Sequence, residues 1–500
     1  MTKRYFCTFY ILIVFGTGVG MLYAQSYREQ FGQYKQQEKQ KFEQFRSEQQ
    51  QAFDQMRREM NAKYADFIRN AWERQHATPE TKPDPIQPQP PVIYQKPQQD
   101  TLDAHPAPKP IPIDEEIVRI PVPTPQPDPI VPIQGNDQTA GHMEIPFYGN
   151  HISIAVPEKT VTLKSTAPDA IADVWDQLFQ SNYDNIVVSS LKARSDYKLC
   201  DWAYYQLTEK IAQQLYGTGN TSTLIQAYIL VQSGYQLRFG ADKERLLILT
   251  ACEQQIYNHL CYTIDGRRYY CFGAPPANKS ISICQAKFDG EKAFELQIRE
   301  EQHFPNTVSE KRTLTSSKGI STQTKINTHA IHFYNEYPTG YINNQFITRW
   351  ALYANTPMEE HVKAQLYPQL EEALGNKPLW EKINLLLNWV QTAFTYEYDD
   401  TVWGTDRAFF AIETLYYPYC DCEDRSILFS RLVRDLLHTN VVLLYYPGHL
   451  ATAVESEAAG DYVTVEGRRF VVCDPTYIGA PAGVTMPDMD NTTAVAIILD

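Results

Sequence analysis

Hydrophobic and polar positions change period several times along this chain, and each change marks an element. Lys3-Arg4 precede a mainly apolar run over residues 5–23, which ends in Ala24-Gln25. Aromatic pairs then recur every eleven residues: Phe31/Tyr34, Phe42/Phe45, Phe53/Met56 and Tyr64/Phe67. Eleven residues in three turns is close to the natural helical period, so the stripe stays on one face of a straight or slightly right-handed helix. Ser26 and Glu29 have capping-box spacing, which predicts a helix starting there and running roughly 50 residues. Residues 170–237 show helical periodicity, through Ile171, Val174, Trp175 and Leu178, then 202–215 and 224–237. Residues 246–250, 262–270, 281–288 and 294–298 read as strands, with turns at Asp265-Gly266 and Asp289-Gly290. Two more helices follow at 358–374 and 380–394, separated by Gly375-Asn376-Lys377-Pro378.

The C-terminal quarter carries the sharpest pattern. Ile427, Leu428, Phe429, Leu432, Val433, Leu436 and Leu437 recur at three- and four-residue spacing, giving a helix with one buried face. Asp421 or Cys422 caps it, and Glu423 and Asp424 occupy the first turn, where carboxylates suit the helix dipole. Residues 441–446 read as a strand. Pro447-Gly448 turns into a second strand that His449 opens. Residues 462–465 and 469–473 form a hairpin around Glu466-Gly467, ending in Asp474-Pro475-Thr476-Tyr477.

Composition divides the chain. Residues 79–132 hold 17 of the 32 prolines, so this stretch favours extended polyproline II and reads as a spacer of up to roughly 170 Å. The domains expected are a signal peptide at 1–24, an amphipathic or coiled-coil helix at 25–76, a Pro-rich linker at 77–140, a helical then β accessory region at 141–340, and a C-terminal domain at 341–500. The charged, apolar and small-residue order at the N-terminus predicts export to the periplasm, cell surface or exterior; an uncleaved anchor is the alternative. A helix with an aromatic stripe cannot bury it alone, so the N-terminal helix is expected to self-associate or dock on an envelope partner. A formal charge of −14 argues against nucleic acid as a partner. Nine cysteines in 500 residues make no disulfide framework. Cys261 and Cys271 flank the Asp265-Gly266 turn and could face each other across a hairpin; Cys200, Cys252, Cys261, Cys271 and Cys284 read as core residues, with one disulfide among them as the alternative. No phosphate loop, HExxH or dinucleotide fingerprint is present, and neither metal nor cofactor is expected.

The candidate chemistry lies in Cys422, His449 and Asp474. A cysteine at a helix N-terminus meets the positive dipole end and free backbone N–H groups, which favour its thiolate. A thiol nucleophile also needs an imidazole to take its proton and a carboxylate to orient that imidazole. Helix-borne Cys422, strand-borne His449 and strand-end Asp474 supply all three. Glu423 and Asp424 oppose thiolate formation and read as first-turn dipole partners. The loop over 395–414 carries Tyr396, Tyr398, Asp399, Asp400, Trp403, Asp406, Arg407, Phe409 and Phe410; a cleft wall and packing between helices are both open to it.

The order Cys-x-Asp opening a helix, a His on a strand and Asp-Pro-Thr after another strand resembles the transglutaminase-like superfamily. The run from Ile383 to Tyr396 is similar to the helix preceding the nucleophile in bacterial members. The resemblance covers roughly residues 355–490. It implies an α+β, papain-like fold with the helix-borne Cys packed on an antiparallel sheet. It also implies a catalytic triad in which Cys422 is the nucleophile, His449 the base and Asp474 the orienting acid. Gln391, by analogy with thiol enzymes that place a Gln upstream, is the expected second oxyanion donor beside the Cys422 N–H. Two positions depart from the family pattern: Cys420 stands where Gly is usual, and Leu450-Ala451-Thr452 lack the aromatic residue that often follows the His. The activity implied is acyl transfer at a peptide or amide bond of a protein or peptide substrate. Hydrolysis by a cysteine peptidase or amidase is expected first; amine-accepting cross-linking and a non-catalytic envelope scaffold are the alternatives.

Overall fold

The computed structural model describes residues 5–79, 91–95, 110–111, 117–135, 139–181, 183–489 and 491–500, with side chains from residue 31 onward except that of residue 491. The architecture is mixed α+β with largely antiparallel sheets and a long N-terminal helix. Two compact units separate: residues 1–63 with 131–133, and residues 64–130 with 134–500.

The helix Tyr5–Asn70, whose residues 5–63 belong to the first unit, runs without a break through the positions where a start at Ser26 was expected. No proline interrupts residues 5–70, so nothing stops the helix from extending backward. The Ser26 and Glu29 side chains lie outside the described ones. Phe31, Tyr34, Phe42, Phe45, Met56 and Phe67 are each at least half exposed, whereas Tyr64 is buried against Trp175 and Phe288, so the eleven-residue stripe is open over its N-terminal pairs and covered at Tyr64. Local pairs support the polar face, among them Gln44 with Glu48 and Gln55 with Glu59, and Lys35 lies over the Phe31 ring. Among the described residues no helix is long and apolar enough to cross a membrane.

The second unit is built on two sheets. The first is antiparallel, in the order Trp72–His76, Ser280–Cys284, Leu237–Asp242, Arg245–Ala251, Arg267–Tyr270 and Cys261–Ile264. Four helices, Pro168–Gln180, Asp184–Asp196, Asp201–Tyr216 and Asn220–Gln232, follow its first strand and fall largely within the span read as helical; the last ends at Gln232 and Leu237 already begins a strand. Residues 294–298, expected as a strand, form no ladder. Side chains take over three of its backbone N–H groups instead: Asp201 accepts Glu295 N–H, Gln254 accepts Leu296 N–H and Glu295 accepts Gln297 N–H. Cys271 is a free thiol, so the Cys261–Cys271 pairing is not formed. The second sheet is ordered Pro110–Ile111, Tyr462–Val465, Arg468–Cys473, His449–Glu455, Val441–Tyr446, Val495–Ile498 and Ile117–Arg119. Its core strands are antiparallel, and one face buries Val442, Leu444, Ala451, Ala453, Phe470 and Val472 together. The regions 141–340 and 341–500 therefore belong to one compact unit.

The described parts of the Pro-rich segment do not act as a free spacer. Extended backbone without internal hydrogen bonds is also what a sheet edge accepts, and proline fits at an edge because no donor is lost there. Pro110–Ile111 and Ile117–Arg119 pair in parallel at the two edges of the second sheet. Beyond them, Thr124 N–H donates to Glu295, Gln126 donates to Asp201, and the buried Arg194 donates to the Pro127 carbonyl. This strap runs so close to Gly234 (φ +92°) that a Cβ there would meet the Asp128 carbonyl oxygen at 2.1 Å. Residues 80–90, 96–109, 112–116 and 136–138 of the expected linker lie outside the described residues.

Candidate active site

The helix Cys422–Leu437 starts at Cys422, with Asp421 as N-cap and the Asp424 carboxylate accepting the Asp421 N–H at 3.2 Å. Ile427, Leu428, Phe429, Leu432 and Val433 are buried, which seats the helix and fixes the direction of its first residue. Arg425, fully buried in the same helix, donates to the carbonyls of Gln391 and Phe394 at the end of the helix Leu379–Ala393. A cation suits the negative end of that neighbouring helix.

His449 opens the strand His449–Glu455, directly after the Pro447-Gly448 turn; Gly448 takes φ +80°, which a proline-initiated type II turn needs at that place. Asp474 follows the strand Arg468–Cys473, whose Cys473 faces Thr452 in the ladder. The register brings His449 Nε2 to 2.8 Å from Asp474 Oδ2. The other carboxylate oxygen, Oδ1, accepts the backbone N–H groups of Thr476 and Tyr477 at 2.8 and 3.1 Å. A carboxylate oxygen accepts, so the imidazole donates to it from Nε2. Nδ1 is buried and has no hydrogen-bond partner. The backbone N–H of the next residue, Leu450, acts on the Cys422 thiol to lower its pKa. The Leu450 carbonyl in turn accepts from Ser426, one turn along the nucleophile helix.

The Cys422 thiol itself donates to Glu423 Oε2 at 3.1 Å and makes no hydrogen bond to His449. Burial pushes its pKa well above the ordinary thiol range, and the charges of Glu423 and Asp421 push it further; the Leu450 N–H opposes them. The thiol is therefore neutral in this arrangement. Cys422, His449 and Asp474 are all almost completely buried, at 3%, 1% and 3% exposure. The Tyr396 ring lies close by. Its phenol is raised first by burial and then by the charges of Cys422, Asp421 and Glu423, and the Arg425 guanidinium lies 5.3 Å from its centroid.

Five acids cluster at the start of the helix Cys422–Leu437: Asp421, Glu423 and Asp424 on the helix start itself, and Asp399 and Asp406 from the segment before it. Arg349 answers part of this charge, with Asp406 at 2.8 Å and Glu423 at 4.0 Å. It is stacked on Phe346 and Trp350. Burial, then Glu423, pushes Asp399 up to about 8, and burial raises Asp421 and Asp424 as well. Asp421 Oδ1 has no hydrogen-bond partner. Three overlapping groups within this cluster bring ligand atoms within 4.8 Å of one another: Asp421/Cys422/Glu423, Asp399/Asp421/Asp424 and Asp399/Asp406/Glu423. The two groups made of carboxylates alone offer hard oxygen donors, which suit Ca²⁺ or Mg²⁺.

Of the residues singled out from sequence, Gln391 has a different setting from the one expected. Its amide nitrogen donates to the carbonyls of Asp474, Tyr477 and Ala480 at 3.0, 2.9 and 3.1 Å. Two N–H groups shared among three acceptors leave none for an oxyanion. Cys420 is buried, and its sulfur lies 3.9 Å from the Thr395 carbonyl in a short parallel ladder with Tyr396. Sequence reading missed the Leu450 N–H, which bears no side-chain signature, and the convergence of Asp399 and Asp406 on the helix start. Their placement in a charged, aromatic loop just before the nucleophile was the available signal. No family model, no curated protein and no solved structure matches this chain.

Proposed function

We propose that the protein is an exported thiol hydrolase of the transglutaminase-like class, cleaving a peptide or amide bond through Cys422, His449 and Asp474. The observation that carries this reading is the setting of His449, one strand residue from Leu450: Nε2 held by Asp474, and Nδ1 buried and unpartnered. A solvated turn histidine or a packing histidine has no use for such an arrangement. Export rests on the charged, apolar and small-residue order of residues 1–24.

In the reaction the thiol turns from Glu423 toward His449. Nδ1 takes its proton as the sulfur attacks the amide carbonyl, and Asp474 stabilises the imidazolium. The oxyanion forms beside the Cys422 backbone N–H at the helix start. Collapse breaks the C–N bond, the imidazolium proton leaves with the amine, and a thioester remains. Water then attacks the thioester with His449 again as base, releasing the acid and restoring the thiol.

The test is alkylation of the full chain with iodoacetamide at pH 7, with the labelled cysteine mapped by mass spectrometry. Cys422 should react, and His449→Ala should abolish its reaction. Labelling of Cys422 no faster than that of the buried Cys473 would refute the reading.

A further inference from the structure

Gln391 stands between the two halves of the site. Its helix, Leu379–Ala393, packs against the nucleophile helix, and the backbone carbonyl of Gln391 accepts from Arg425 at 3.2 Å, three residues after Cys422. Its side chain points the other way, into the turn that follows Asp474. The amide nitrogen meets the Asp474, Tyr477 and Ala480 carbonyls, and the amide oxygen accepts the Gly479 N–H at 3.2 Å. This is the same turn whose Thr476 and Tyr477 N–H groups hold Asp474 Oδ1. Asn384, two turns earlier on the same helix, accepts the Ala482 N–H at 2.9 Å and extends the clamp. Gln391 is 1% exposed, so water cannot replace these bonds.

We propose that Gln391 is a positioning residue that fixes the Asp474 carboxylate against His449 while tying its turn to the nucleophile helix. The inference rests on the thiol reading of Cys422, His449 and Asp474. Gln391 touches neither substrate nor reacting atoms; it acts through Asp474. A group that orients a reactive residue from behind typically changes activity about 10- to 100-fold when removed. Its action through one partner makes a second expectation: its effect vanishes once that partner is disabled.

The experiment measures the second-order rate of iodoacetamide alkylation at Cys422 in the full chain. The variants are Gln391→Ala, Gln391→Asn, Asp474→Asn and the double variant Gln391→Ala/Asp474→Asn. A parallel readout is the low-field ring N–H resonance of His449 in ¹⁵N-histidine-labelled protein, assigned by its loss in His449→Ala. Gln391→Ala should slow alkylation about 10-fold or more and shift the His449 resonance. The double variant should react within about twofold of Asp474→Asn alone. Gln391→Asn keeps the amide but withdraws it by one methylene; it should give an intermediate rate and carries the test if Gln391→Ala does not fold. Rates that multiply in the double variant, or a parent-like rate with an unmoved resonance in Gln391→Asn and Gln391→Ala, overturn the positioning role. If Asp474→Asn itself reacts like the parent, the failure belongs to the thiol reading, and Gln391 falls with it.

Discussion

Glu423 is the residue that most directly opposes the proposed chemistry. It accepts a hydrogen bond from the thiol, with sulfur and oxygen 3.1 Å apart, and its charge is the second cause, after burial, of the raised Cys422 pKa. The resting thiol is therefore held off the base that would activate it. Replacing the carboxylate with an amide removes the charge and keeps the shape. Glu423→Gln should lower the thiol pKa, and each unit of lowering raises the thiolate fraction about tenfold at a pH well below it. Alkylation of Cys422 at pH 7 should rise by about that factor; an equal or slower rate would show that Glu423 supports the thiol. The positions of the proposed triad stand out in sequence because each sits at a marked boundary: Cys422 at a cap, His449 after Pro-Gly, Asp474 before Pro. Gln391 was legible only as a residue of interest. Its real partners lie 83 to 89 residues away, and no local pattern encodes a contact of that range.

Elements were legible where periodicity and turn chemistry agreed. The hairpin Tyr462–Val465 with Arg468–Cys473 closes through Glu466 and Gly467, both with positive φ, the geometry a two-residue hairpin turn requires. Residues 294–298 were misread because an apolar run shows burial and not its hydrogen-bond partners. The helix Glu360–Leu374 carries a titrating group of its own. Glu359 is its N-cap, is fully buried, and accepts from the Tyr334 hydroxyl at 2.9 Å. Burial pushes Glu359 up to about 8, and the Tyr334 bond only partly offsets this. The folded protein thus holds a proton here that the unfolded chain gives up near pH 4.5. Its contribution to stability is complete below that value and is lost as pH rises through about 8. Glu359→Gln should remove up to about 1.4 kcal/mol per pH unit of slope between pH 5 and 8 in denaturant unfolding. An unchanged slope would show that Glu359 is not the group responsible.

At the scale of the whole molecule, the Pro-rich segment decides how the chain can be divided. Read from composition, it isolates a domain beginning near residue 133, because an edge strand and a free polyproline spacer have the same residues and differ only in what accepts their backbone. The described strands show what a cut at residue 132 would remove. Trp72–His76 leaves the edge of the first sheet, with its five-residue register against Ser280–Cys284. Pro110–Ile111 and Ile117–Arg119 leave both edges of the second, which also carries His449 and Asp474. Arg194, 8% exposed, loses the Pro127 carbonyl, and the buried Asp201 loses Gln126. Each buried polar group left without its partner costs about 1–3 kcal/mol, a large part of a typical net stability. A cut at residue 63 removes none of the strands or hydrogen bonds just named. The fragment 64–500 should therefore melt within a few degrees of the parent, at roughly 2–4 °C per kcal/mol changed. The fragment 133–500 should melt about 10 °C or more lower, or fail to fold. Calorimetry on both fragments checks this. A 133–500 fragment as stable as the parent would mean that these edge strands and the strap add nothing to the fold, and a 64–500 fragment that fails to fold would mean that the long helix is part of it.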